Sequence, residues 1–400
     1  MNALAVFPIA DATHQIIQLG ESTNYLITSS HSEPLEISAK SDQVKSLSSL
    51  LRGSLADICR RGYDFVDEPL PDREAALLEV AQIGRSLFKA LMPEPAHRDW
   101  FRNEIKDGDT IIQVMSTAVS VPWEALYLAE ELSGIAHVEE FLGYKSRLIR
   151  NAFNKGQQPF APGDSVLSNG QIGMGIVEDD QLDSVGVNND SQILNVARKG
   201  TAIKELHLGK LEQSNCILPM ANFLASEDQP KQIVHFDCHL EVRVHADTPV
   251  IQHSKVRVTE KVLIHYNDFA SMPLTNGPFV FFNVCYGGSV QSVSLESYAS
   301  LFRQNGASCV VTSETKIGDG FAAMFAGAFY ACASTGKSVA AALMEARKWV
   351  LNHHRNPSAL FYTMYAFRDR LLPVTSVPAG ERQEFSSKCG FRAEMEQPAA

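Results

Sequence analysis

The chain has 400 residues, 45% of them hydrophobic, enough for a sizeable core and, by length, for two or three domain-sized units. Its formal net charge is −11 with no long basic run, which argues against a protein that works chiefly by gripping nucleic acid. The seven cysteines, Cys59, Cys216, Cys238, Cys285, Cys309, Cys332 and Cys389, are scattered, odd in number and without a CxxC pair, which excludes a disulfide framework or a zinc ribbon.

The start, MNALAVFPIADATHQ, has no basic segment before its apolar residues, so it makes a poor signal peptide. The longest helical apolar run, FAAMFAGAFYACA, falls short of the roughly 20 residues that cross a bilayer. A soluble cytoplasmic protein with no membrane contact is the expectation.

In chain order, the first forty residues read as strands and turns, with TNYLITSS alternating and HSEP turning. A helix capped by Ser41 follows, carrying Val44, Leu47, Leu51, Leu55 and Ile58 at helical spacing. A second runs from about Asp72 to Leu91 and stops before MPEP. TIIQVMST (110–117) is a strand, and VPWEALYLAEELSG opens on Pro122 at a turn or helix start. Trp123 and Glu124 read as packing and capping groups.

Residues 151–175 are rich in Gly, Pro, Asn, Gln and Ser, and read as a linker, a long surface loop or a cleavage site. Beyond them strands alternate with helices. GIVEDD ends a strand, SQILNVARKGTAIKEL and NCILPMANFLAS are helices, and QIVHFDCH (232–239), KVLIHY (261–266) and FVFFNVC (279–285) are strands. LESYASLFRQNG is a helix, ASCVVTSE (307–314) a strand, and two helices near 318–334 and 337–353 are separated by Gly336. This order implies an α/β fold, a mainly parallel sheet flanked by helices on both faces, with an N-terminal α+β portion at 1–150 and a polar tail at 376–400.

The chemistry gathers at two strand ends. In open α/β sheets, ligands collect outside the carboxyl ends of the strands. His239 closes QIVHFDCH and Cys285 closes FVFFNVC, so adjacent parallel strands would bring an imidazole and a thiol to one rim. A thiol becomes a nucleophile at neutral pH when a nearby imidazole favours the thiolate. The glycine pair after Cys285, beginning at Gly287, permits a sharp turn that aims backbone N–H groups at a reacting carbonyl. A bland reading stands beside this one: a strand cysteine is commonly core filler. His235 competes with His239, but only His239 sits at the strand end. A metal site from His235, Cys238 and His239 is disfavoured, because adjacent strand residues point to opposite faces. No cofactor or metal is required.

IVHFDCHL resembles a strand ending in His-Gly, FVFFNVCYGG one ending in Ala-Cys-x-x-Gly, and NGASCVVTSE the strand after it, in the CHAT domain. CHAT domains are caspase-like cysteine peptidases, grouped with caspases, separase and gingipains. FYACASTGKSVAAALMEARKWV resembles their late helix pair, and VPWEALY an upstream Pro-Trp-Glu segment. The histidine also stands 46 positions before the cysteine (285 − 239), near the roughly 50 of the caspase pattern. The resemblance implies a CHAT catalytic domain over 176–375 and a degenerate caspase-like layer at 1–150 packed on the catalytic sheet.

It also implies a cysteine endopeptidase acting on a specific protein substrate. Cys285 would be the nucleophile, His239 its proton-transfer partner, and the N–H of Cys285 an oxyanion donor. Asn283 would lie near the pocket for the residue before the cut bond. Asp237 could orient the imidazole, line a pocket for a basic side chain, or simply pack. Where the family has Gly after the histidine this chain has Leu240, whose Cβ disfavours positive φ. Either the loop is built differently or the oxyanion site is impaired, and the second case describes a scaffold that binds a partner without cutting it. A setting in bacterial defence or programmed cell death, and release by a partner protein or a cut near 152–175, follow by the same analogy.

Overall fold

The computed structural model describes residues 13–18, 24–29, 32–60, 70–105, 110–116, 121–152, 172–178, 201–206, 217–225, 231–245, 248–259, 262–269, 271–275, 277–284 and 297–372. Cys285, Gly287, the centre of the 151–175 segment, residues 191–200 and the C-terminal tail lie outside them.

Runs such as IVHF and FVFF carry apolar side chains on both faces, so they are stable only in a sheet covered on both sides. They sit in the middle of one. The strands are β1 (His14–Gln18), β2 (Asn24–Ser29), β3 (Leu35–Ser38), β4 (Ile111–Ser116), β5 (Arg147–Ala152), β6 (Ile172–Glu178), β7 (Thr201–Leu206), β8 (Ile233–Asp237), β9 (His239–His245), β10 (Thr248–Thr259), β11 (Val262–His265), β12 (Phe279–Asn283), β13 (Cys309–Ser313) and β14 (Tyr362–Ala366). Eleven of them form one sheet in the order β3-β2-β1-β4-β5-β14-β13-β12-β8-β6-β7, and the other three form a small sheet, β11-β10-β9. From β12 to β7 all pairings are parallel, while β14 runs antiparallel to β13 and parallel to β5.

The helices are α1 (Ser41–Arg60), α2 (Leu70–Leu91), α3 (Pro95–Glu104), α4 (Leu142–Lys145), α5 (Ile217–Ala225), α6 (Tyr266–Phe269), α7 (Tyr298–Gln304), α8 (Asp319–Ala333) and α9 (Val339–His354). Strand alternation divides the interior in two. Phe279 and Phe281 face a core shared with α8 and α9, and Val280 and Phe282 face a core shared with α5, α6 and α7. On the first face Phe281 lies 5.2 Å from the Phe329 ring; on the second, Phe282 lies 5.0 Å from Phe302. Gly336, at φ 84, ends the α8 turn where an L side chain would be strained, as its place between the two helices predicts.

Four expectations change. The N-terminal portion does not lie on the sheet as a layer; its strands β1 to β5 continue the sheet edge to edge through β14. The sequence TAIKEL is not helical but forms β7, paired in parallel with β6. A six-residue segment is short enough for such pairing to override local spacing. The ends of the 151–175 segment are strands, with residues 151–152 in β5 and 172–175 in β6. QIVHFDCH is not one strand: β8 stops at Asp237, and β9 starts at His239 in the small sheet.

The seam between the halves holds a buried charge cluster. Arg150 of β5 bonds Glu124 and Glu314, Arg52 of α1 reaches Glu314 at 3.1 Å, and Tyr365 donates to Glu314 at 2.8 Å. Arg347 of α9 stands 3.7 Å from Glu124. Glu124 is therefore an ion-pair partner and not a helix cap, whereas Trp123 packs edge-on against Tyr25, as expected of a packing residue. Burial works against the Arg150 charge, but the two carboxylates outweigh it and hold its pKa raised. Arg347 is pushed down to about 10 by burial, with Glu124 opposing, and so stays charged at neutral pH. Helix α2 reaches this seam closely at Gly84, where a Cβ would stand 2.2 Å from the Ala125 carbonyl oxygen.

Candidate active site

The site is set by the register of two central strands. β8 and β12 run parallel, with Ile233 opposite Phe279 and Asp237 opposite Asn283. Both strands end at that last pair, so their carboxyl ends are level. His239 follows Asp237 by two residues and Cys285 follows Asn283 by two. The described chain reaches Val284. β13 ends beside β12 at the same rim, since Phe282 pairs with Thr312, and the segment after it leads into α8.

His235, Asp237 and His239 share the face that α8 covers. The His235 ring stacks 5.2 Å from Phe281, and its Nδ1 lies 3.0 Å from the Tyr330 hydroxyl. Burial pushes the His235 imidazole down to about 3, so it is neutral and structural. His239 lies at the end of this row, 29% exposed, with its Nε2 3.9 Å from Oδ2 of Asp319 at the start of α8. Asp237 is buried at the strand end. Asn283 is buried as well; its Oδ1 accepts a hydrogen bond from the Tyr362 hydroxyl at 2.5 Å, and its Nδ2 has no partner among the described residues.

Cys238 faces the other way. It belongs to the second core, and its thiol donates to the Val177 carbonyl oxygen at 3.4 Å. His235 and Cys238 therefore stand on opposite faces of the sheet and cannot share a metal ion. Cys309 and Cys332 are buried too, and burial pushes both thiols up to about 12. Neither is a thiolate at neutral pH. Among the described cysteine side chains none has the access a nucleophile needs.

Leu240 is not in a turn. It is the second residue of β9, paired with Val256, and its side chain packs on the second core. Among the described residues only Arg355 combines a side chain with positive φ, so no strain attaches to Leu240. The loop after the histidine is built as a strand, and that conformation tolerates any Cβ.

Asp319 and the Arg150, Glu314 and Arg347 cluster were not singled out from the sequence. An aspartate in the first turn of a helix is routine, and IGDG before FAAMF gives no further signal. Among the described residues no helix is long and apolar enough to cross a membrane.

A CHAT domain family model matches residues 81–372, most of the chain. None of the curated proteins matches. Among solved structures, the separase of a Saccharomyces cerevisiae separase–securin complex is similar, with 9% identity and a TM-score of 0.45 over 89% of this chain and 30% of that one. The Arg-specific cysteine proteinase gingipain R shows 11% identity and a TM-score of 0.41 over 84% of this chain and 76% of that one. A secreted C11 cysteine protease from Bacteroides thetaiotaomicron shows 14% identity and a TM-score of 0.32 over 48% of this chain and 63% of that one. The chain thus spans under a third of the separase it resembles, and by the family match it belongs to the CHAT-domain family.

Proposed function

We propose that the chain is a cysteine endopeptidase with His239 and Cys285 as its dyad. The observation that carries this reading is the Asp237–Asn283 pairing, which ends the two strands level just before both residues. The Cys285 sulfur attacks the scissile carbonyl carbon as a thiolate. The resulting oxyanion is held by backbone N–H groups, that of Cys285 among them, with Gly287 allowing the turn that aims them. The imidazolium of His239 gives its proton to the departing amine as the C–N bond breaks, leaving a thioester. Water then attacks the thioester carbon, His239 accepts the water proton, and the acid product leaves as the thiolate is restored.

Asp237 and Asn283 form the floor beneath this dyad in the proposal, and the Asp237 carboxylate favours a basic side chain before the cut bond. Leu240, as a strand residue free of strain, lends no support to a scaffold without activity. The buried thiols of Cys238, Cys309 and Cys332 suit a reducing compartment, the cytoplasm. By family analogy the substrate is a specific protein, a partner or a cut triggers activity, and the setting is defence or programmed cell death.

A peptidyl acyloxymethyl ketone probe with arginine at its reactive end tests the assignment. Mass spectrometry should find one adduct, on Cys285, that disappears in His239→Ala. Labelling at another cysteine, or undiminished labelling without His239, would contradict it.

A further inference from the structure

We propose that Asp319 is the positioning residue for His239, orienting the imidazole from its Nε2 side. The inference rests on the dyad reading for its catalytic meaning, but its geometry stands independently. The two side chains approach to 3.9 Å, and both are partly open to solvent, at 29% and 42%. Among the described residues, Asp319 is the one carboxylate within 4.0 Å of the His239 ring.

The other charged residues around His239 differ in placement. Asp237 is two residues earlier on β8 and buried, Glu241 is two residues later on β9 and exposed, and Arg257 is the ladder partner of His239 on β10.

Asp319 is held in place from both sides. It is the first residue of α8, and the Gly318 N-cap offers no side-chain bond, so the carboxylate is the negative group that complements the helix N-terminus. Upstream, the Ser313 hydroxyl donates to the Thr315 carbonyl at 3.0 Å, and the Glu314 N–H donates to the Phe361 carbonyl at 3.0 Å. The Glu314 carboxylate is clamped by Arg52, Arg150 and Tyr365. The segment feeding Asp319 toward the histidine is therefore anchored to the N-terminal strands as well as to the catalytic ones.

The consequence is chemical. With Nε2 facing a carboxylate, Nδ1 is the nitrogen left to hold and release the proton that the leaving amine takes.

The test is a nitrogen-15 NMR measurement of the His239 ring in the full chain, with the resonances assigned by their loss in His239→Gln. The neutral ring of the parent should carry its proton on Nε2, Asp319→Ala should abolish that preference, and Asp319→Glu should restore most of it. A tautomer ratio unchanged in Asp319→Ala would overturn the proposal. This readout needs no turnover, so it fails or succeeds separately from the peptidase reading. Where cleavage is measured, Asp319→Asn should lower kcat about tenfold at unchanged KM, less than the roughly 10²–10⁴-fold that a proton-transfer group itself supplies. A loss confined to KM would count against a positioning role.

Discussion

Asp237 and Asn283 stand opposite each other as the last pair of the β8–β12 ladder. Both are buried at the carboxyl rim, on the face covered by α8. Every feature of the candidate site is referred to that pair: His239 two residues beyond one strand, Cys285 two beyond the other, and Asp319 across from the histidine.

Asp237 should set the preference for a basic side chain before the cut bond. Asp237→Asn keeps the size and removes the charge, so cleavage after Arg and Lys should fall about 10² to 10³-fold relative to cleavage after neutral residues, the cost of leaving a substrate charge unpaired. Comparing kcat/KM on matched peptides checks this. An unchanged preference would assign Asp237 to orienting or packing.

Arg150 should be among the costliest single changes in the seam. Arg150→Met leaves Glu124 and Glu314, both fully buried, without their shared partner. Removing one member of a buried ion cluster costs about 3–5 kcal/mol. Urea unfolding at constant m-value should show that loss, and adding Glu124→Gln and Glu314→Gln should recover most of it.

His235 should make the protein acid-labile. Its folded pKa is pushed down to about 3 by burial, below the 6.5 of the free side chain. Between those values the unfolded chain binds the extra proton, so the stabilisation is complete above about pH 6.5. It is lost by about 1.4 kcal/mol per unit as pH falls toward 3. His235→Phe leaves the Tyr330 hydroxyl without its 3.0 Å partner and lowers stability at pH 7 by about 1–3 kcal/mol. It should also flatten the pH dependence. Denaturant midpoints of both proteins from pH 7 to 4 measure the difference in slope; equal slopes would contradict the assignment.

The apolar strands and most helices were legible because each carries its own periodicity: Val44 to Ile58 on α1, FVFF for β12, and Gly336 between α8 and α9. The strand-end rule pointed to the rim beyond β8, although that strand stops at Asp237, two residues before His239. What stayed hidden depends on partners far along the chain. β14 is a strand by its pairing with β13 and β5, and TAIKEL by its pairing with β6. HLEVRVH does alternate, but reading QIVHFDCH as one strand concealed that β9 begins at His239. The Arg150–Glu314 contact in the buried cluster joins residues 164 positions apart, and Asp319 meets His239 only through the α8 approach. No local pattern encodes such contacts.

Cys285 should cut peptide bonds with the help of His239. The most direct measurement is digestion of a diverse peptide library by the purified chain and by its Cys285→Ala and His239→Ala variants, with mass spectrometric reading of the fragments. Fragments made by the parent chain should fall by at least about 10³-fold in each variant, while thermal unfolding stays within a few degrees of the parent. Fragments that persist unchanged in folded Cys285→Ala would contradict it.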